Sequence, residues 1–269
     1  MDRPGILQSG RRDAPAVLFL HGIGGAARAW KPQVARFAEA GYRALALDLP
    51  GYGARSPVTA MRFEDLASDV ERTVDALALA KPVLVGHSMG GMIAQTALRR
   101  RPSGYAAAIL VGTSPAFGNP AGDFQKKFVM DRLGPLDGGK TLHELAPSMV
   151  DGMMGPAPDA AGHALALACM SATPESTYRA AVHCLVEFDE RANLPAIAIP
   201  VLCLVGEHDR NAPPVVSEKM AAKIPGGAYR CLPGLGHLPN LEAPQIFDDA
   251  VLEFLAEKIA RPKAEAAPT

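Results

Sequence analysis

Six short apolar runs recur along the chain, each running into Gly, Pro, Asp or Ser: "AVLFLHG" at 16–22, "ALALDLPG" at 44–51, "PVLVGHS" at 82–88, "AAILVGTSP" at 107–115, "PVLCLVGEHD" at 200–209 and "YRCLPGLGH" at 229–237. Their apolarity is near-continuous, without alternation, which marks strands covered on both faces and hence a mostly parallel sheet. Between the runs the period becomes helical. Within 63–79, residues Phe63, Leu66, Val70, Val74 and Leu77 recur at spacings of three and four, and a second helical pattern starts directly after Ser88. Strand and helix in alternation predict an α/β fold with a doubly wound sheet.

The alternation lapses between 117 and 194. Helical stretches are expected at 122–133, 141–153, 160–172 and 175–187, separated by Gly/Pro-rich punctuation at 118–120, 134–139 and 155–158. Such an insertion reads as a helical cap over the ends of the neighbouring strands, where open α/β sheets bind ligands. The expected organisation is a core formed by 1–116 and 195–260, a cap at 117–194, and a flexible tail at 261–269.

Composition narrows the function classes. The 269 residues suffice for one large core, and 27 basic against 28 acidic side chains give a net charge of −1, with no field to attract nucleic acid or an anionic membrane. The charged, Pro/Gly-punctuated amino terminus has no apolar core, and no run reaches the length of a spanning helix, so a soluble, cytoplasmic protein is expected. Cys169, Cys184, Cys203 and Cys231 are widely spaced in apolar surroundings, which predicts buried free thiols and no metal site.

The chemistry starts at Gly86-His87-Ser88-Met89-Gly90, a G-x-S-x-G pattern set between an expected buried strand and an expected helix. In that setting a sharp turn exposes the Ser88 hydroxyl above the helix amino terminus. A serine hydroxyl attacks only if a base takes its proton, and that base must be held in one tautomer by a carboxylate. His237 follows the last strand-like run and Asp209 closes the one before it, which gives the order Ser, Asp, His. Glu207 competes with Asp209, since a one-residue change of strand end would present it instead. Backbone donors for a developing oxyanion are expected at Met89, which follows Ser88, and at Ile23 or its neighbour Gly24 in the glycine-rich "HGIGG" loop. His21 is expected to brace that loop, and Asp48 to be loop structure.

With "HGIGG", "DLPGYG", "GHSMGG", "GEHD" and "GHLPNLEAP" in this order, the chain resembles the α/β-hydrolase superfamily, and within it the 3-oxoadipate enol-lactonase and carboxylesterase branch. The resemblance implies an eight-stranded, mostly parallel sheet, a helical cap after strand 6, and a cofactor-free Ser88, Asp209, His237 triad. Only 15 residues precede "AVLFLHG", so a trimmed edge with "GILQSG" as at most one strand is expected, giving seven to eight strands in all. The implied partner is a small-molecule ester or lactone; carbon–carbon hydrolysis of ring-fission ketoacids, perhydrolase or haloperoxidase chemistry, and ligand sensing are alternatives on the same fold. A dianionic lactone calls for an arginine, with Arg28, Arg132 and Arg179 as candidates. Gly24, Trp30, Met92, Phe117, Met130, Met153 and Leu238 are candidate pocket residues, and His183 a candidate polar contact from the cap.

Overall fold

The computed structural model describes residues 5–117 and 122–259; the expected tail at 261–269 and the Gly/Pro-rich punctuation at 118–120 lie outside the described residues. Seven strands form one sheet among the described residues: β1 (Ile6–Ser9), β2 (Ala16–Leu20), β3 (Arg43–Leu47), β4 (Val83–His87), β5 (Ala108–Val111), β6 (Val201–Gly206) and β7 (Ala228–Leu232). The spatial order is β1-β3-β2-β4-β5-β6-β7, and every pairing is parallel except β1 with β3. Because a single strand precedes β2, the helical insertion expected after a sixth strand of eight follows the fifth of seven.

Alternate residues of the central strands feed two apolar layers, as a strand's two-residue period requires. Leu18, Leu20, Leu84, Ala108 and Leu110 face one side, while Val17, Phe19, Val85, Ile109 and Val111 face the other, all fully buried. Helices α1 (Lys31–Glu39), α2 (Phe63–Ala76) and α3 (Met89–Arg100) follow β2, β3 and β4 respectively. The turn after α2 starts earlier than the 63–79 pattern implied, since Ala78 adopts a φ of 49° that a helix cannot continue.

Between β5 and β6 lie four helices, α4 (Asp123–Asp137), α5 (Leu142–Asp151), α6 (Ala160–Ser171) and α7 (Glu175–Leu185), each within a few residues of its expected place. A Thr141–Glu144 capping box starts α5, and the Asp159 carboxylate caps α6 by accepting from the Gly162 N–H. Ala166, Cys169 and Met170 of α6 pack on Ala26 and Ala29 beyond β2 and on Leu238 and Leu241 beyond β7, so the insertion rests on loops at the carboxyl edge of the sheet. Helix α8 (Pro214–Lys223) lies between β6 and β7, and α9 (Pro239–Glu242) and α10 (Pro244–Lys258) follow β7. No described helix is long and apolar enough to cross a membrane. The four cysteines are free as expected, three buried and Cys231 half-buried.

One buried carboxyl makes folding pH-dependent. Asp248 on α10 is 3% exposed; burial lifts its carboxyl to about 7, against the Gln33 hydrogen bond and the Arg36 charge that pull it down, while Asp249 pushes it up further. The unfolded chain releases that proton near pH 4, so between about 4 and 7 the folded state binds more protons and stability falls as pH rises. Asp248→Asn should therefore raise stability by about 1 to 3 kcal/mol near pH 8 and give no such gain near pH 4. Urea unfolding of both proteins at the two pH values checks this, and equal gains at both would contradict it.

Candidate active site

Strand order places the site. The chain steps from β2 out to β3 and then back across to β4, so the loops leaving the adjacent β2 and β4 diverge and open a crevice at the carboxyl edge. The "HGIGG" loop leaves β2 into that crevice and Ser88 leaves β4, close enough that a Cβ added at Gly22 would lie 3.0 Å from the Ser88 Cβ.

Ser88 has φ 53° and ψ −118°, a region that non-glycine residues occupy only under constraint from their surroundings. The constraint is visible on both sides. The Ser88 N–H donates to the Val111 carbonyl at 2.8 Å, and the Ser88 carbonyl accepts from Thr113 Oγ1 at 2.8 Å and from the Gly91 N–H at 2.9 Å. Packing then demands glycine at two positions: a Cβ on Gly86 would sit 2.4 Å from the Gly90 carbonyl oxygen, and one on Gly90 2.2 Å from that of Leu20. Met89 opens α3, so its N–H belongs to the first turn, whose donors have no partner within the helix.

Asp209 and His237 meet beside this turn. His237 Nδ1 lies 2.8 Å from Asp209 Oδ2, and the two residues are 4% and 3% exposed. The other oxygen, Oδ1, accepts from the Asn211 and Ala212 N–H groups at 2.8 and 2.9 Å. Burial alone would raise the Asp209 carboxyl, but the His237 charge and hydrogen bond and the two N–H donors outweigh it and hold the group below the usual carboxylate range. An ionised Asp209 fixes the proton on His237 Nδ1 and leaves the lone pair on Nε2. Gly112, with φ 50°, makes room for the pair, since a Cβ there would come within 3.0 Å of Asp209 Oδ2. Glu207, the competing carboxylate, is exposed and accepts instead from the Gly234 N–H.

Two further histidines are buried and neutral. His21 Nε2 accepts from the Leu49 N–H at 3.1 Å, which leaves its Nδ1–H to donate to the Gly22 carbonyl at 2.8 Å; burial pushes the ring down to about 4. His21 thus braces the loop after β2 as expected, and Asp48, expected as loop structure, accepts from the Ala27 and Ala54 N–H groups and so ties the loops after β2 and β3 together. His87 Nε2 lies 2.7 Å from the His237 carbonyl and must donate to it, with burial and then the His237 charge pushing His87 down to about 3. Its ring centroid is 4.8 Å from that of His237.

The Alpha/beta hydrolase family model matches residues 17–250. The chain belongs to that family. A protein of Variovorax paradoxus named as a candidate carbamate hydrolase, RutD, is 32% identical over 258 residues, covering 92% of this chain and 94% of its own. The 3-oxoadipate enol-lactonase 2 of Acinetobacter baylyi is 27% identical over 248 residues, covering 90% and 89%. A thermophilic esterase from Thermogutta terrifontis, solved with malate bound, aligns with a TM-score of 0.84 at 26% identity over 94% of this chain and 93% of that one.

In this α/β-hydrolase a cavity of about 40 Å³ lies between the loop after β2 and the insertion. Of the candidate pocket residues, Gly24, Trp30, Met153 and Leu238 line it, together with Ile23, expected as an oxyanion donor, and with Met170, Cys169 and Asn240 that the sequence did not single out for the pocket. Trp30 is also core, with its ring between Phe19 and Phe247. The remaining candidates fall elsewhere. Met92 packs in the layer between sheet and α3, Met130 is 64% exposed, and His183 faces outward from α7. Phe117 stacks on Phe124 and Phe128, and Arg132 lies over the Phe128 ring. Arg28 donates to the Ala168 carbonyl and Arg179 pairs with Glu175 and Asp137. A helical repeat reveals which residues share a face but not which face a small insertion turns inward.

Proposed function

We propose that the protein hydrolyses a small, uncharged carboxylic ester or lactone through an acyl-enzyme on Ser88. The observation that carries this reading is the buried His237–Asp209 pair at 2.8 Å beside a serine held at φ 53°. His237 Nε2 takes the Ser88 proton as Oγ attacks the carbonyl carbon, and Asp209 stabilises the imidazolium that results. The N–H groups of Met89 and Ile23 stabilise the tetrahedral oxyanion. Collapse expels the alcohol, protonated by His237; water, deprotonated by the same nitrogen, then releases the acid and regenerates Ser88.

The substrate class is read from the cavity, which the triad residues do not themselves line but which His87 and Leu238, the chain neighbours of Ser88 and His237, do. Its walls are glycine, apolar side chains, Asn240 and two histidines that burial keeps neutral, and its small volume of about 40 Å³ favours a short acyl group. Arg28 and Arg179 are engaged outside it, which weighs against a lactone that carries a free carboxylate. Turnover across p-nitrophenyl esters from acetate to octanoate, with a succinate half-ester as the charged member, tests the reading. The acetate or propionate ester should be best, with kcat/KM falling at least about tenfold by hexanoate because overfilling a narrow pocket costs about 1 to 3 kcal/mol. Preference for the charged half-ester would overturn the assignment.

A further inference from the structure

The main chain around His237 is held from four directions, and one side chain supplies two of the anchors. Glu242, at the end of the one-turn helix α9, is 3% exposed. Its Oε2 accepts from the Gly236 N–H at 2.8 Å and its Oε1 from the Leu238 N–H at 2.9 Å, so one carboxylate grips the residues on either side of His237. The same Oε2 accepts from the Gly155 N–H, in the segment joining α5 to α6, at 2.7 Å. Next to it the His237 N–H donates to the Met153 carbonyl at 2.6 Å, and the Glu242 carbonyl accepts from the Asp159 N–H at 2.9 Å. The fit is close enough to require glycine, since a Cβ on Gly236 would approach both the Gly155 nitrogen and the Met153 oxygen to 2.5 Å.

Three main-chain donors converging on one buried carboxylate form charge-assisted hydrogen bonds, stronger than bonds between neutral groups. They also join two parts of the chain that are far apart in sequence. Ser88 is carried by the sheet, whereas the loop bearing His237 is tied to the insertion as well as to β7. On the reading that His237 is the base, we propose that Glu242 is a positioning residue that sets His237 against Asp209 and makes that placement depend on the seating of the 153–159 segment. Glu242 does not touch the reacting atoms; it acts on the backbone that carries the imidazole.

Glu242→Ala frees the Gly155, Gly236 and Leu238 donors together. Glu242→Gln is nearly isosteric and keeps an acceptor for Gly155 and Gly236, but turns an NH2 group toward the Leu238 N–H. The measurements are kcat and KM on a short-chain ester, thermal unfolding, and the far-downfield proton resonance of His237 Nδ1–H, assigned by its loss in His237→Ala. A small displacement of a catalytic group costs about 10²-fold, so Glu242→Ala should lower kcat by about that factor with KM little changed, and broaden or remove the resonance. Glu242→Gln should fall about tenfold, with the resonance shifted. If Glu242→Ala does not fold, Glu242→Gln decides alone. A folded variant with lowered thermal stability but parental kcat and an unmoved resonance would make Glu242 merely structural and overturn the proposal. The resonance is read without turnover, so its response to Glu242 tests positioning even if ester cleavage proves independent of Ser88, an outcome that would count against the proposed function alone.

Discussion

Ser88→Ala should lower turnover of a short-chain ester on the order of 10⁴-fold or more while the protein folds as before. The size of the effect follows from where the hydroxyl stands. The hydroxyl is the one atom removed, and the turn that carries it is held by main-chain bonds to Val111, Thr113 and Gly91 that alanine retains. Cavity walls, backbone donors and the His237–Asp209 pair all remain, so the variant should still bind ester with a dissociation constant near that of the parent. What is lost is the covalent step. Steady-state kinetics with a circular-dichroism spectrum and a thermal melt check both halves, and a folded Ser88→Ala protein with parental kcat/KM would remove serine catalysis from the account.

Asp209→Asn should cost about 10⁴-fold in kcat with little change in stability or KM, and the reason lies in the carboxylate's second oxygen. Oδ1 accepts from the Asn211 and Ala212 N–H groups at 2.8 and 2.9 Å, so an asparagine must turn its carbonyl oxygen that way and its NH2 group toward His237. The ring nitrogen 2.8 Å away then has to accept instead of donate. That moves the proton to Nε2, where it blocks abstraction from Ser88. The imidazolium also loses its counter-charge. An Asp209→Asn protein within about tenfold of the parent would mean that His237 is not the base.

Much of this arrangement was legible in the chain because it rests on local signals. Continuous apolar runs gave the two-faced strands β2 and β4 to β6, and the turn residues closing them located Ser88, Asp209 and His237 at one edge of the sheet. Strand β1 was harder to read. It has four residues, two of them exposed, and pairs antiparallel at the sheet's edge, so neither buried apolarity nor alternation marks it strongly. The pocket candidates divided for a related reason. Gly24 and Leu238 sit on loops tied directly to sheet ends and line the cavity, whereas Met92, Met130, Arg132 and His183 sit on helices whose rotation is set by long-range packing. Glu242 lies within the "GHLPNLEAP" motif, yet its contact with Gly155 spans 87 residues and depends on how the insertion docks. His87 was hidden in another way: the pattern around Ser88 leaves that position unspecified, and only the fold brings its Nε2–H to the His237 carbonyl.

The most direct measurement of the central claim is covalent trapping with a small fluorophosphonate ester, followed by intact-mass and peptide analysis. Attack by an activated serine should leave a single adduct, mapped to Ser88, that forms quickly in the parent, much more slowly in Asp209→Asn, and not at all in Ser88→Ala. An unmodified parent, or an adduct on another residue that persists in Ser88→Ala, would contradict the assignment of Ser88 as the nucleophile.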